Sequence, residues 1–159
     1  MKRLLLIRHA KATHESGYID FERPLTPEGV EDASYMAERV KEQNIVPDIL
    51  ISSPALRTLA TANIFSQHLA GRKPETNKDI YDASEQTLLK VINNFPDNVD
   101  YIGLVGHNPG ISQILYYLTG KVQEMDTSGI ALIEFKVDSW TEVSGETGTL
   151  ISYDSPKSA

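Results

Sequence analysis

The chain of 159 residues has no cysteine, which excludes disulfides, thiolate metal ligands and any mechanism with a thiol nucleophile. It also lacks a long apolar run. The stretch Leu4, Leu5, Leu6 and Ile7 near the N-terminus is far shorter than a membrane span or a signal-peptide core, so the cytoplasm is the expected location and no membrane partner is expected. Positive charge is scarce too: 15 lysines and arginines face 22 aspartates and glutamates, for a net charge of −7. Nucleic-acid binding needs a basic face that displaces counterions, so it is not an expected function. Small anions can still bind where a few arginines converge. There is no internal repeat, low-complexity tract or linker, and residues 71–77 (GRKPETN) read as a surface loop. The length predicts a single domain over 1–153 with a tail, 154–159, that frays.

Short, nearly continuous apolar segments recur at 3–8, 48–52, 101–106 and 130–137, the pattern of strands buried on both faces. Helical patterns lie between them at 27–44, 55–70, 84–95 and 109–119. This alternation predicts an α/β fold, a three-layer sandwich with a mostly parallel central sheet flanked by helices. No helix-length segment separates 130–137 from 148–153, so these last strands are expected to extend one edge in antiparallel fashion. The pairs Thr26-Pro27, Ser53-Pro54 and Asn108-Pro109 each place a capping side chain before a proline suited to a helix's first position. After Ser53 and Asn108, free helix N–H groups should face the crevice at the strands' carboxyl ends, a place that favours anions.

Four ionisable residues fall at such ends. Arg8 and His9 close the first strand, Arg57 lies at the fourth position of the helix expected after Ser53, and His107 follows the strand LVG at 104–106. Each has an ordinary explanation in isolation: a solvated strand end, a surface arginine, a hydrogen-bonded structural histidine. Together, if their strands are neighbours, they converge on one crevice. Gly106 would permit close backbone approach there, and Asn108 would cap the next helix and reach substrate. Arg23 could add a phosphate contact or pair with Asp20 or Glu22. Lys11 could face the crevice or water. His14, His68 and Trp140 suit surface or packing roles.

Three chemistries fit this set. A neutral His9 can attack phosphorus while Arg8, Arg57 and a protonated His107 stabilise the equatorial oxygens. The two histidines can instead act as acid and base on a phosphodiester. A metal site is the third, disfavoured because no carboxylate stands at ligand spacing and two arginines would repel a cation.

The segments LLLIRHAKA at 4–12, DFERPLTPEG at 20–29, SSPALRTLATA at 52–62 and GHNP at 106–109 resemble, in order and spacing, the histidine phosphatase superfamily, and within it the small SixA-like phosphohistidine phosphatases. The resemblance spans nearly the whole chain. It implies a phosphoglycerate mutase-like fold, no metal and no cofactor, phosphorylation of His9, a clamp by Arg8 and Arg57, and assistance from His107. Ala10 replaces the glycine of the superfamily's usual RHG, which requires a backbone open to any residue. Larger members place a glutamate acid after the third strand; the nearest counterpart here is Asp82 in IYDASEQ, but the run DASE at 82–85 also fits a helix capping box. With Asp82 so occupied the site would lack a dedicated acid, which favours a weakly basic leaving group such as imidazole. A chain without a long insertion to act as a lid would admit a phosphorylated side chain of another protein. The alternatives are a small phosphoester substrate, a phosphoglycerate-type mutase, and a phosphate-binding adaptor without turnover.

Overall fold

The computed structural model describes residues 1–69 and 71–157. Six strands form one sheet: β1 (Lys2–Arg8), β2 (Ile49–Ser52), β3 (Glu75–Thr76), β4 (Tyr101–Gly106), β5 (Ile130–Phe135) and β6 (Gly148–Asp154). Their order across the sheet is β3-β2-β4-β1-β5-β6. Strands β3, β2, β4 and β1 pair in parallel, whereas β5 joins β1, and β6 joins β5, antiparallel. The sheet is thus mostly parallel with an antiparallel edge, as the spacing of the apolar segments predicts.

Helices α1 (Pro27–Glu42) and α2 (Leu56–His68) cover one face, and α3 (Glu85–Asn93) and α4 (Gly110–Thr119) the other. Successive strand side chains point to opposite faces. Leu5 and Ile7 of β1 therefore pack with Met36 and Val40 of α1 and Phe65 of α2, while Leu4 and Leu6 pack with Ile92 of α3 and Ile114 of α4. Both faces of β1 are dry, which explains its unbroken apolar sequence. Trp140 is a packing residue. It is fully buried against Phe95 and Phe135, and its indole N–H donates to the Val99 carbonyl at 2.9 Å. No described helix is long and apolar enough to cross a membrane.

Several local expectations need correction. Thr26 caps α1 as expected, accepting the Gly29 N–H at 3.0 Å, but α2 begins at Leu56, two residues beyond Pro54, so Arg57 is its second residue. The Thr58 hydroxyl donates to the Ser53 carbonyl at 3.0 Å, so that carbonyl bonds a side chain while the chain makes an extra bend. Ser53 Oγ accepts the Ala55 N–H at 3.2 Å within that bend. Similarly, α4 begins after Pro109, although Asn108 Oδ1 still accepts the Ser112 N–H at 3.2 Å. The expected loop at 71–77 contains β3, which hydrogen-bonds to β2. Within the segment expected as a tail, Asp154 closes β6 and pairs with Arg39 at 2.5 Å, and buried Ser155 donates its hydroxyl to Asp126 at 3.0 Å. Residues 158 and 159 lie outside the described residues. Close backbone approach occurs at Gly110 rather than Gly106. A Cβ on Gly110 would stand 2.3 Å from the Ala83 carbonyl oxygen, whereas one on Gly106 would meet only ordinary contacts.

Candidate active site

Strands β2, β4 and β1 are consecutive across the sheet, which satisfies the condition for convergence. Arg8 is in register with Gly106, and the His9 N–H donates to the Gly106 carbonyl at 3.1 Å. This places the His9 and His107 rings side by side, with centroids 5.4 Å apart and planes tilted by 56°. Arg57 enters from α2 beyond β2. The opposite wall is the segment 125–128 leading into β5. Its Ser128 N–H donates to the carbonyls of Arg8 and His9 at 3.1 and 3.2 Å, and Arg8 Nη1 donates to the Met125 carbonyl at 2.8 Å. That segment is itself fixed, because Asp126 accepts from Ser155 and Tyr153 and pairs with Lys157. Ala10 follows His9 without a positive φ, so the absence of glycine there carries no strain.

The two histidines are buried, each 8 % exposed. His9 Nδ1 lies 2.7 Å from the Ala10 carbonyl oxygen. A carbonyl only accepts, so Nδ1 carries the proton and the neutral ring's lone pair is on Nε2. Burial holds the His9 pKa down to about 4; the Ala10 hydrogen bond opposes the shift, and the charges of Arg57, Arg8 and Arg23 add to it. Burial first, then Arg57 and the other ring, hold His107 at about 3. Its own surroundings therefore hold His107 neutral near pH 7. Its Nε2 lies 2.9 Å from Ser53 Oγ, and its Nδ1 is buried without a partner, as are the Nε atoms of Arg8 and Arg57. Burial also lowers the pKa of Arg8 from its ordinary value.

Around these four residues lies a cleft of about 580 Å³. Sequence reasoning missed much of its rim. Asp20, in the 3-10 turn Asp20–Glu22, receives Arg57 Nη1 on its carbonyl at 2.7 Å and Nη2 on Oδ2 at 3.0 Å. Tyr81 donates its hydroxyl to the same carboxylate oxygen at 2.7 Å and stands edge-on to His107. The Tyr81 hydroxyl, with Arg57 beside it, holds the Asp20 pKa down to about 2. Arg23 pairs with Asp20 at 3.2 Å, one of its two sequence-based readings, and also lines the cleft. His14, assigned no part from sequence, lines the cleft with its Nδ1 3.2 Å from Arg23 Nη1. Lys11 lines it as well while pairing with Glu28, and Asn108 reaches its edge.

Asp82 corrects another expectation. The N-terminal cap of α3 is Ser84, whose hydroxyl accepts the Thr87 N–H at 3.2 Å. Ser84, not Asp82, directly precedes the helix, so the capped N–H is that of Thr87 and not the Glu85 N–H that a capping box starting at Asp82 would have used. Asp82 instead adopts a left-handed backbone, φ 52°, and lines the cleft. Among the described residues, no group of three or more His, Cys, Asp or Glu is placed to hold a metal ion.

Residues 4–84 match the family model of the histidine phosphatase superfamily, branch 1. The chain belongs to that superfamily. Over 162 residues it is 26 % identical to the uncharacterized protein Rv1276c of Mycobacterium tuberculosis, with 95 % of this chain and 100 % of the relative covered. Its structure superposes on the protein assigned as phosphohistidine phosphatase SixA from Agrobacterium tumefaciens with a TM-score of 0.84 and 27 % identity, covering 98 % of each chain. The protein histidine phosphatase SixA complexed with tungstate shares the fold at a TM-score of 0.80 and 21 % identity, covering 98 % of this chain and 97 % of that one. The superfamily and the fold are those expected from the sequence, and both support a phosphatase.

Proposed function

We propose that the protein is a metal-independent phosphatase in which Nε2 of His9 takes up the phosphoryl group. The observation that carries this reading is the 2.7 Å contact of His9 Nδ1 with the Ala10 carbonyl, in a site that keeps the ring neutral. An imidazole whose Nδ1–H is engaged and whose Nε2 lone pair is available needs no base and no metal to act as a nucleophile. The Nε2 lone pair attacks phosphorus as the bond from phosphorus to the leaving atom breaks. Water then attacks phospho-His9, the P–N bond breaks, inorganic phosphate leaves and the neutral ring returns.

Arg8 and Arg57 supply charge at the equatorial oxygens, with Arg23 at the rim. The buried N–H donors without partners support this role, since such groups are rare unless a ligand satisfies them. His107 is neutral beforehand, but a phosphoryl dianion beside it favours protonation. Its imidazolium would then donate to a phosphoryl oxygen.

The substrate we favour is phosphohistidine in a protein. An imidazole leaves more readily than an alkoxide, the cleft opens to the surface, and the likeness to SixA proteins points the same way. A second reading, a small phosphoester, rests on Asp82: the residue lines the cleft and does not cap α3, so its carboxylate could protonate an alkoxide. The test is hydrolysis of para-nitrophenyl phosphate and of a phosphohistidine protein in the presence of a chelator, by wild type and His9→Ala, with mass detection of an acid-labile adduct after rapid quenching. We expect activity in chelator, an adduct on wild type, and loss of both with His9. Turnover by His9→Ala would remove the covalent step. Rapid turnover of an alkyl phosphomonoester with none of phosphohistidine would establish the second reading.

A further inference from the structure

Asp20 is remote in sequence from the strand ends, yet it gathers donors from three segments. Arg57 approaches it with both terminal nitrogens, at 2.7 Å to the carbonyl and 3.0 Å to Oδ2. Tyr81 reaches Oδ2 at 2.7 Å, and Arg23 Nε reaches Oδ1 at 3.2 Å. A guanidinium is planar and its donors have fixed directions. With the terminal nitrogens of Arg57 directed at Asp20, its Nε–H remains buried without a partner.

The Asp20 side chain is 55 % exposed. An ion pair so open to water contributes little to stability, but it can fix direction. Arg57 is only 6 % exposed and has little room for another orientation once its outer edge is tied. Tyr81 extends the arrangement inward: its ring stands edge-on to His107 at 5.6 Å, and on its other side edge-on to Phe21 at 5.1 Å. One carboxylate thereby links the rim arginines to the histidine floor.

We propose that Asp20, tied by Tyr81, is a positioning residue that aims Arg57 and Arg23 at the phosphoryl group and registers them against His107. It touches no reacting atom, and its assignment rests on the phosphatase reading above. The opposite role is also conceivable for a carboxylate in an anion site, namely an internal anion that competes with substrate for the arginines. The two roles predict opposite signs.

The experiment measures kcat, KM and the inhibition constant for tungstate with para-nitrophenyl phosphate, together with the melting temperature, for wild type, Asp20→Ala, Asp20→Asn and Tyr81→Phe. Misaiming a clamp residue by a fraction of an ångström costs roughly tenfold or more. For Asp20→Ala we expect weaker tungstate inhibition and lower kcat, with the melting temperature nearly unchanged. Asp20→Asn should fall between, because its amide oxygen at the Oδ2 position still accepts from Arg57 and Tyr81 while its NH2 at the Oδ1 position cannot accept from Arg23. Tyr81→Phe should move the same way by less. Unchanged inhibition in Asp20→Ala overturns the proposal, and tighter inhibition identifies Asp20 as a competing anion. If Asp20→Ala does not fold, Asp20→Asn and Tyr81→Phe decide by the same sign. Wild type that neither turns over nor binds tungstate defeats the phosphatase reading and this inference together, whereas active wild type with unmoved variants defeats this inference alone.

Discussion

The floor and the rim of the cleft are built by different means. Arg8, His9 and His107 stand at the ends of two paired parallel strands, held by backbone hydrogen bonds that the sheet itself imposes. The rim is assembled from side chains: Asp20 meets Arg57 across 37 residues of sequence and Tyr81 across 61. A floor of this kind fixes His9, the proposed nucleophile, through the sheet itself, whereas the rim can be altered without unfolding the sheet. The difference predicts that floor substitutions remove chemistry and rim substitutions tune binding and selectivity.

The largest effect should come from His9→Ala, which removes the proposed nucleophile. Its kcat on para-nitrophenyl phosphate should drop about 10³-fold or more, as removal of a nucleophile does elsewhere. Residual activity near wild type would place the chemistry on another residue. Next, Arg57→Ala should cost about 10²-fold in kcat/KM, the scale of losing a charge-stabilising donor. A loss as large as that of His9→Ala would dissolve the distinction between floor and rim. Asp82→Asn sharpens it further. If Asp82 protonates the leaving group, its loss should slow alkyl phosphomonoesters at least tenfold and leave para-nitrophenyl phosphate nearly untouched. Equal effects on both substrates would give Asp82 a binding role.

The floor also has a pH signature. His9 and His107 hold pKa values of about 4 and about 3 in the folded protein, below the ordinary 6.5. Between those values and 6.5 the unfolded chain binds more protons than the folded one, so stability rises with pH through this window and is lost on acidification. The slope is at most about 1.4 kcal/mol per pH unit for each histidine. Thermal unfolding from pH 7 down to pH 4 should show it, and His107→Asn should flatten it. A flat wild-type curve would mean that the rings are not buried as neutral groups. The smallest effect is expected far from the cleft. Arg39→Ala, which breaks a partly exposed pair with Asp154, should lower the melting temperature by no more than a few degrees.

The same contrast explains what could be read from sequence. Strand ends are legible because an apolar run that stops at charged residues marks both the element and the place where ligands gather, and Arg8, His9 and His107 sit at such stops. Arg57 was found through the helix that follows β2, although Thr58 shifts that helix's start by two residues. Asp20, Tyr81 and His14 carry no such signal. Asp20 lies inside DFERPLTPEG, where Arg23 and Thr26 carry the stronger local signals, and nothing local in a sequence shows that a turn at 20 will meet a tyrosine at 81. Asp82 was misread for a related reason: DASE offers two residues able to cap, and only the backbone's left-handed turn decides for Ser84. The anchored tail depends on Asp126, whose partners at 153, 155 and 157 are likewise distant.

That anchoring bears on how the protein can be handled. Residues 125–128 grip Arg8 and the backbone of His9, and are gripped in turn by the segment that leaves β6. Tyr153 and Ser155 are therefore, in effect, guy-lines of the cleft's floor. Trimming the chain back to residue 152, or fusing a bulky label directly after Asp154, would slacken the wall beside His9 while leaving every residue of the cleft in the sequence. A label placed at the N-terminus adjoins the opposite end of β1 from His9 and spares that wall.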